Sequence, residues 1–198
     1  DAVAHAVPEL DVRYVPLGDD PAPHLTDADA ALGMLTPELL AAAPRLRWLQ
    51  CPIAAPPPAF FFPALVEHPV VVTNLRGVYR DNVADHVMAF VLAFARGFPR
   101  YGAQQAAHQW HRDVADVPIC DLGATTMLIV GCGEVGAALA PRARAFGIRV
   151  LGVDSFPERV SAAVDECHPI DALDSVLPLA DWVVLTVPHT PVTEGMFD

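Results

Sequence analysis

Apolar and polar positions alternate in short blocks along the first third of the chain and then give way to longer apolar runs. "LDVRYVP" (10–16) has the period of two that predicts a strand, and "ADAALGM" (28–34) predicts another. "TPELLAAAP" (36–44) predicts a short helix with Thr36 as N-cap and Pro37 in its first turn. "LRWLQ" (46–50) and "PVVVTN" (69–74) predict two further strands, with "FPALVEH" (62–68) as a helical turn between them. Strands separated by short helices point to a parallel sheet with α/β connections.

Further on, "NVADHVMAFVLAFARGF" (82–98) is apolar almost all round, which predicts a helix buried on most sides, with His86 as a hydrogen-bonded core residue. "RYGAQQAAHQWHR" (100–112) continues it as a polar, amphipathic helix after Pro99. His108 and His111 fall on the polar face, solvated or at a subunit contact, and no carboxylate or thiol pattern completes a metal site around them. A linker over 113–125 leads to strands at 126–130, 149–153 and 182–187, a weaker one near 166–169, and helices at about 134–146 and 171–179.

Residues 127–154, "MLIVGCGEVGAALAPRARAFGIRVLGVD", carry the chemistry. An apolar strand runs into Gly131, Gly133 and Gly136, and a helix follows. A G-x-G-x-x-G spacing alone is common; strand before and helix after make it specific for a dinucleotide. Gly131 allows the tight turn, Gly133 lets backbone approach a pyrophosphate, and Gly136 lets helix pack close on strand. Glu134 and Val135, at the helix start, offer backbone N–H groups to the phosphates. Asp154 ends the second strand 18 residues after Gly136, near the ~20 expected of an acid that binds ribose hydroxyls. A carboxylate there repels a 2′-phosphate, so NAD is favoured over NADP. Pro141 inside the helix predicts a kink, or irregularity near Ala137.

Composition narrows the partners. The chain has 198 residues, 53% of them hydrophobic, and a formal charge of −12; its twelve cations are all arginine. Such a surface repels phosphate backbones and speaks against nucleic acid. Four cysteines without C-x-x-C spacing read as reduced thiols in a cytoplasmic protein. The longest apolar run is too short to span a bilayer.

Three motifs in order resemble the D-isomer-specific 2-hydroxyacid dehydrogenases. "NLRGVYRDNVADHVMAFVLAFARGFPR" (74–100) is similar to their asparagine-containing loop and interdomain helix, "LGATTMLIVGCGEVGAALAPRARAFGIRVLGVD" to their NAD-binding core, and "LPLADWVVLTVPHTPVTEGMFD" (177–198) to the strand and P-x-T-x-G turn after it. The resemblance implies an α/β fold: a Rossmann-type doubly wound parallel sheet, here truncated, plus a second, flavodoxin-like α/β substrate domain. The expected division is 1–83 for the substrate domain, N-terminally incomplete, and 84–198 for the NAD-binding domain, C-terminally incomplete. Val187 and Pro188 should then lie beside the cofactor's adenosine half, and Thr193 should cap the next helix.

The implied activity is hydride transfer between NAD(H) and a small D-2-hydroxy acid or its 2-keto acid, of glyoxylate/hydroxypyruvate type, in a homodimer. The alternatives are a non-catalytic NAD(H)-sensing relative and an inactive fragment. The family's catalytic arginine, glutamate and histidine belong after the P-x-T-x-G turn, so they are expected beyond Asp198 and none is assigned in this chain. His189 does not occupy the catalytic place. "QCPIAAPPPAFFFPAL" (50–65) stands where relatives offer backbone N–H groups to the substrate carboxylate. Ala54 and Ala55 can donate there; Pro56, Pro57 and Pro58 cannot. The loop reads equally as a rigid polyproline connector without substrate contact.

Overall fold

The structure, a computed structural model, describes residues 5–111, 119–160 and 164–197. The chain divides into two compact units, Asp1–Leu75 and Arg76–Asp198. The linker expected at 113–125 lies outside the described residues as far as 118.

The first unit is a parallel sheet in the order β1-β2-β3, formed by β1 (Ala30–Leu32), β2 (Trp48–Gln50) and β3 (Val71–Thr73). Helix α1 (Ala22–Leu25) precedes β1, and α2 (Pro37–Ala41) and α3 (Pro63–Glu67) make the connections. Thr36 caps α2, its hydroxyl accepting from the Leu39 amide at 3.3 Å. Leu49 is buried at the centre, with Leu40, Leu46, Phe60 and Leu65 around it.

Residues 10–16 are not a strand. Alternation is a local signal, but a strand needs a neighbour to pair with. Arg13, a polar position of that pattern, bridges Asp11 at 2.8 Å and Asp27 at 2.6 Å instead. Pro57 is extended (φ −66°, ψ 157°), and Pro58 opens a 3₁₀ turn that buries Phe60.

The second unit is a parallel sheet in the order β6-β5-β4-β7. Its strands are β4 (Thr126–Val130), β5 (Arg149–Asp154), β6 (Glu166–Pro169) and β7 (Trp182–Leu185). The order is that of a Rossmann half, with β4 central and buried from Met127 to Val130. The helices are α4 (Arg80–Ala95), α5 (Phe98–Ala106), α6 (Glu134–Ala145) and α7 (Leu173–Val176). The break between α4 and α5 falls at Gly97, in the left-handed region at φ +66°, and Pro99 sits harmlessly in the first turn of α5.

Two expectations about these helices need correction. Helix α4 is buried along one stripe only, Ala84, Met88, Val91 and Ala95, which shares a core with Leu139, Ala140 and Ala143 of α6. Its other face exposes Val83, Phe90 and Phe94, the last two by more than half. His86 belongs to that exposed face and stacks edge-on against Phe90 at 4.8 Å rather than lying in the core. An apolar sequence tells what a face prefers, not which surface covers it.

Pro141 is accommodated within α6, at an exposed position where one lost backbone donor costs least. Its neighbour Arg142 ties the helix to α4. Arg142 donates to Asp85 at 2.6 Å, to Asp81 at 3.0 Å and to the Ala138 carbonyl at 2.6 Å.

Candidate functional site

Parallel pairing aligns the strand ends. Val130 of β4 pairs with Val153 on one side and Leu185 on the other, so the glycine loop, Asp154 and the segment after β7 emerge along one edge. That carboxyl edge is where open α/β sheets hold their ligands.

The three glycines of the loop have different surroundings. Gly131 has φ +92°, and a Cβ there would lie 2.9 Å from the Val187 amide nitrogen. The Thr186 amide donates to the Val130 carbonyl at 2.9 Å and the Thr186 hydroxyl to the Gly131 carbonyl, pinning the segment after β7 against the loop. At Gly136 a Cβ would meet the Gly131 carbonyl oxygen at 2.5 Å, so helix and loop can approach only without it. At Gly133 a Cβ would meet nothing within 4 Å. It would project into open space.

Gly133 is also the N-cap of α6, and no side chain caps the helix. The first intrahelical bond is Ala137 N–H to the Gly133 carbonyl, at 2.8 Å. The amides of Glu134, Val135 and Gly136 therefore precede the helical ladder and, with the positive end of the helix dipole, suit an anion.

The Asp154 carboxylate is half-buried at the mouth of the loop. Its Oδ2 accepts from the Cys132 amide at 2.7 Å and its Oδ1 from the Phe156 amide at 2.9 Å. Each oxygen keeps lone-pair capacity for a hydroxyl. Arg159, the arginine that follows in sequence, lies over the Phe156 ring at 4.5 Å with Glu158 3.4 Å from its Nε. Uncapped amides, open space at Gly133 and a prearranged carboxylate fit a dinucleotide.

Val187 is brought directly against Gly131. Pro188 is exposed and its carbonyl accepts from the Thr193 hydroxyl at 2.7 Å. Thr193 also receives the Thr190 amide at 2.8 Å, so it knots the 188–193 loop; among the described residues no helix follows for it to cap. In the first unit, Asn74 Nδ2 donates to the Ala54 carbonyl at 2.9 Å. That bond anchors the loop through a carbonyl and makes no use of the Ala54 or Ala55 N–H.

Two supports of this site had no signal in the sequence. The Cys132 amide finds Asp154 only once β5 lies beside β4, and Thr186 reaches Gly131 only once β7 does. Cys132 itself points inward, where a Cβ on Gly152 would meet the Cys132 sulfur at 2.7 Å and the Cys167 sulfur at 3.2 Å. Burial pushes the Cys132 thiol up from 9.0 to about 12, with Cys167 and Asp154 adding to the effect. Such a thiol is no nucleophile at neutral pH. In the folded protein, iodoacetamide is expected to leave Cys132 unmodified up to pH 9, read by peptide mass spectrometry; labelling at the rate of a free thiol would contradict this. Stability contributed by the protonated thiol is fully present below about 9, where the unfolded thiol ionises, and is lost as pH rises toward about 12.

Among the described residues there is no group of three or more His, Cys, Asp or Glu side chains placed to hold a metal, and no helix is long and apolar enough to cross a membrane.

Residues 88–198 match the family model described as D-isomer specific 2-hydroxyacid dehydrogenase, NAD binding domain. The chain belongs to this family. A glycerate dehydrogenase of Methylorubrum extorquens is 31% identical over 131 residues, which are 64% of this chain and 39% of that protein. A glyoxylate reductase of Korarchaeum cryptofilum is 32% identical over 178 residues, 86% of this chain and 52% of the relative. Among solved structures, an NADPH-dependent glyoxylate/hydroxypyruvate reductase from Sinorhizobium meliloti, in complex with NADP and sulfate, is similar with a TM-score of 0.74 and 27% identity, covering 90% of this chain and 56% of that one. The chain thus spans about half or less of the length of these 2-hydroxyacid dehydrogenase relatives.

Proposed function

We propose that this chain supplies the cofactor site of an oxidoreductase that passes a hydride between NAD(H) and a small D-2-hydroxy acid or its 2-keto acid, of glyoxylate/hydroxypyruvate type. The observation that carries the reading is the open space at Gly133 beside uncapped helix amides and the Asp154 carboxylate. A bound nicotinamide would give or accept the hydride. The chain's own groups bind and orient: Gly131, Gly133 and Gly136 shape the loop, the Glu134 and Val135 amides receive the diphosphate, Asp154 takes the ribose diol, and Val187 and Pro188 flank the adenosine half. Family relatives include an NADP-bound protein. The choice of NAD rests here on the Asp154 charge, which repels a 2′-phosphate, and on Arg159 being occupied by Phe156 and Glu158.

The substrate domain is assigned to the first unit, where the Ala54 and Ala55 N–H groups are candidates for the substrate carboxylate. The exposed Val83, Phe90 and Phe94 face of α4 supports a homodimer, since a stripe of that kind is costly in water. One observation favours a sensor without turnover: Pro56 to Pro58 bring no N–H groups to the loop expected to hold substrate. Following NADH absorbance in the full-length protein with glyoxylate, hydroxypyruvate and pyruvate separates the two. Turnover with at least one of these acids is expected; NADH binding with none turned over would select the sensor.

A further inference from the structure

The helix that receives the diphosphate begins with an acid. Glu134 suits the helix dipole, but it sets a negative charge in the same turn that a doubly negative diphosphate must approach. In a chain of net charge −12 without lysine, that charge needs an arginine close by.

We propose that Arg80 is a positioning residue for the dinucleotide: it draws the Glu134 carboxylate to the flank of α4 and cancels its charge, so that the amides of α6 meet the diphosphate unopposed. The inference rests on the cofactor reading above. Arg80 Nη1 lies 3.6 Å from Glu134 Oε2. The same oxygen lies 3.8 Å from where a Cβ on Gly77 would stand, so the side chain has turned toward the start of α4. Arg80 is itself held in place. Its Nε donates to Asp81 Oδ2 at 3.3 Å, and Asp81 Oδ1 accepts from Arg142 Nη2 at 3.0 Å. Arg142 is fastened in turn to Asp85 and the Ala138 carbonyl. The pairs form one chain, Glu134–Arg80–Asp81–Arg142–Asp85, in which Arg80 stands between Glu134 and Asp81. An exposed ion pair of this kind contributes little to folding. Its effect is on the anion that binds next to it.

The test is a set of NADH titrations by calorimetry at low salt, with melting curves as the control for folding. Arg80→Ala is expected to weaken NADH binding about tenfold, Glu134→Gln alone to tighten it by up to about threefold, and the double variant to return to wild-type affinity within about twofold. The Arg80→Ala defect should shrink as the Debye length falls from about 30 Å at 0.01 M to about 3 Å at 1 M salt. Arg80→Lys should retain most of the binding. A merely structural Arg80 would give a defect that neither Glu134→Gln nor salt repairs, and this outcome, or an Arg80→Ala variant that binds like wild type, overturns the inference while leaving the cradle intact. Failure of the wild-type protein to bind NADH would overturn both.

Discussion

Gly133→Val is expected to weaken NADH binding by about 100-fold, or about 2.7 kcal/mol, while costing under about 1 kcal/mol of stability. A Cβ at this position meets nothing within 4 Å, so the folded chain has room for the side chain and the diphosphate does not. Gly136→Ala should show the opposite signature. There the added carbon stands 2.5 Å from the Gly131 carbonyl oxygen and 3.0 Å from Ile129 Cγ2, inside the contact between helix and strand. Overpacking of that kind costs about 1–3 kcal/mol, which in a chain of this size is a fall of roughly 2–12 °C in Tm. The pair separates two meanings of a glycine three residues apart: one keeps space for a ligand, the other for the protein. Calorimetric affinity and melting curves on both variants check it; equal melting losses would show that Gly133 also serves packing.

Asp154→Ala is expected to reduce NADH affinity by about 100-fold while changing NADPH affinity by less than about threefold. Two effects add. The ribose loses a charged acceptor, a kind of bond worth about 1.5–3 kcal/mol, and the glycine loop loses the carboxylate that holds the Cys132 amide at 2.7 Å. A 2′-phosphate loses its repulsion at the same moment, so the ratio of NADH to NADPH affinity should narrow. Asp154→Asn keeps one acceptor and is expected to fall between. Should NADH bind unchanged to Asp154→Ala, the carboxylate would be a structural cap of the loop and nothing more.

What could be read in the sequence was what depends on near neighbours. The glycine spacing, the strand before it and the acid at the end of β5 are local, and α6 begins at Glu134 as expected. The short helix with Thr36 as N-cap and Pro37 in its first turn followed from capping and proline stereochemistry. Long-range partners were not legible. The alternation of 10–16 found no neighbouring strand, and Arg13 pairs instead with Asp27 fourteen residues on. The α4 helix looked buried on most sides, yet only its Ala84–Met88–Val91–Ala95 stripe meets the core. The link from Asp154 to the Cys132 amide spans 22 residues, and that from Arg80 to Glu134 joins the starts of two helices. No periodicity encodes either, since each exists only after the strands and helices have packed.

In the proposed function, backbone amides at the start of α6 face a diphosphate while Asp154 holds a sugar. Titrating NADH into ¹⁵N-labelled protein and following amide resonances tests this residue by residue. The predicted result is saturable shifts largest at Gly133, Glu134, Val135 and Gly136, with Cys132 and Phe156 moving in step as their carboxylate partner takes on the ribose. Shifts that saturate elsewhere in the chain while those six resonances stay fixed would contradict it.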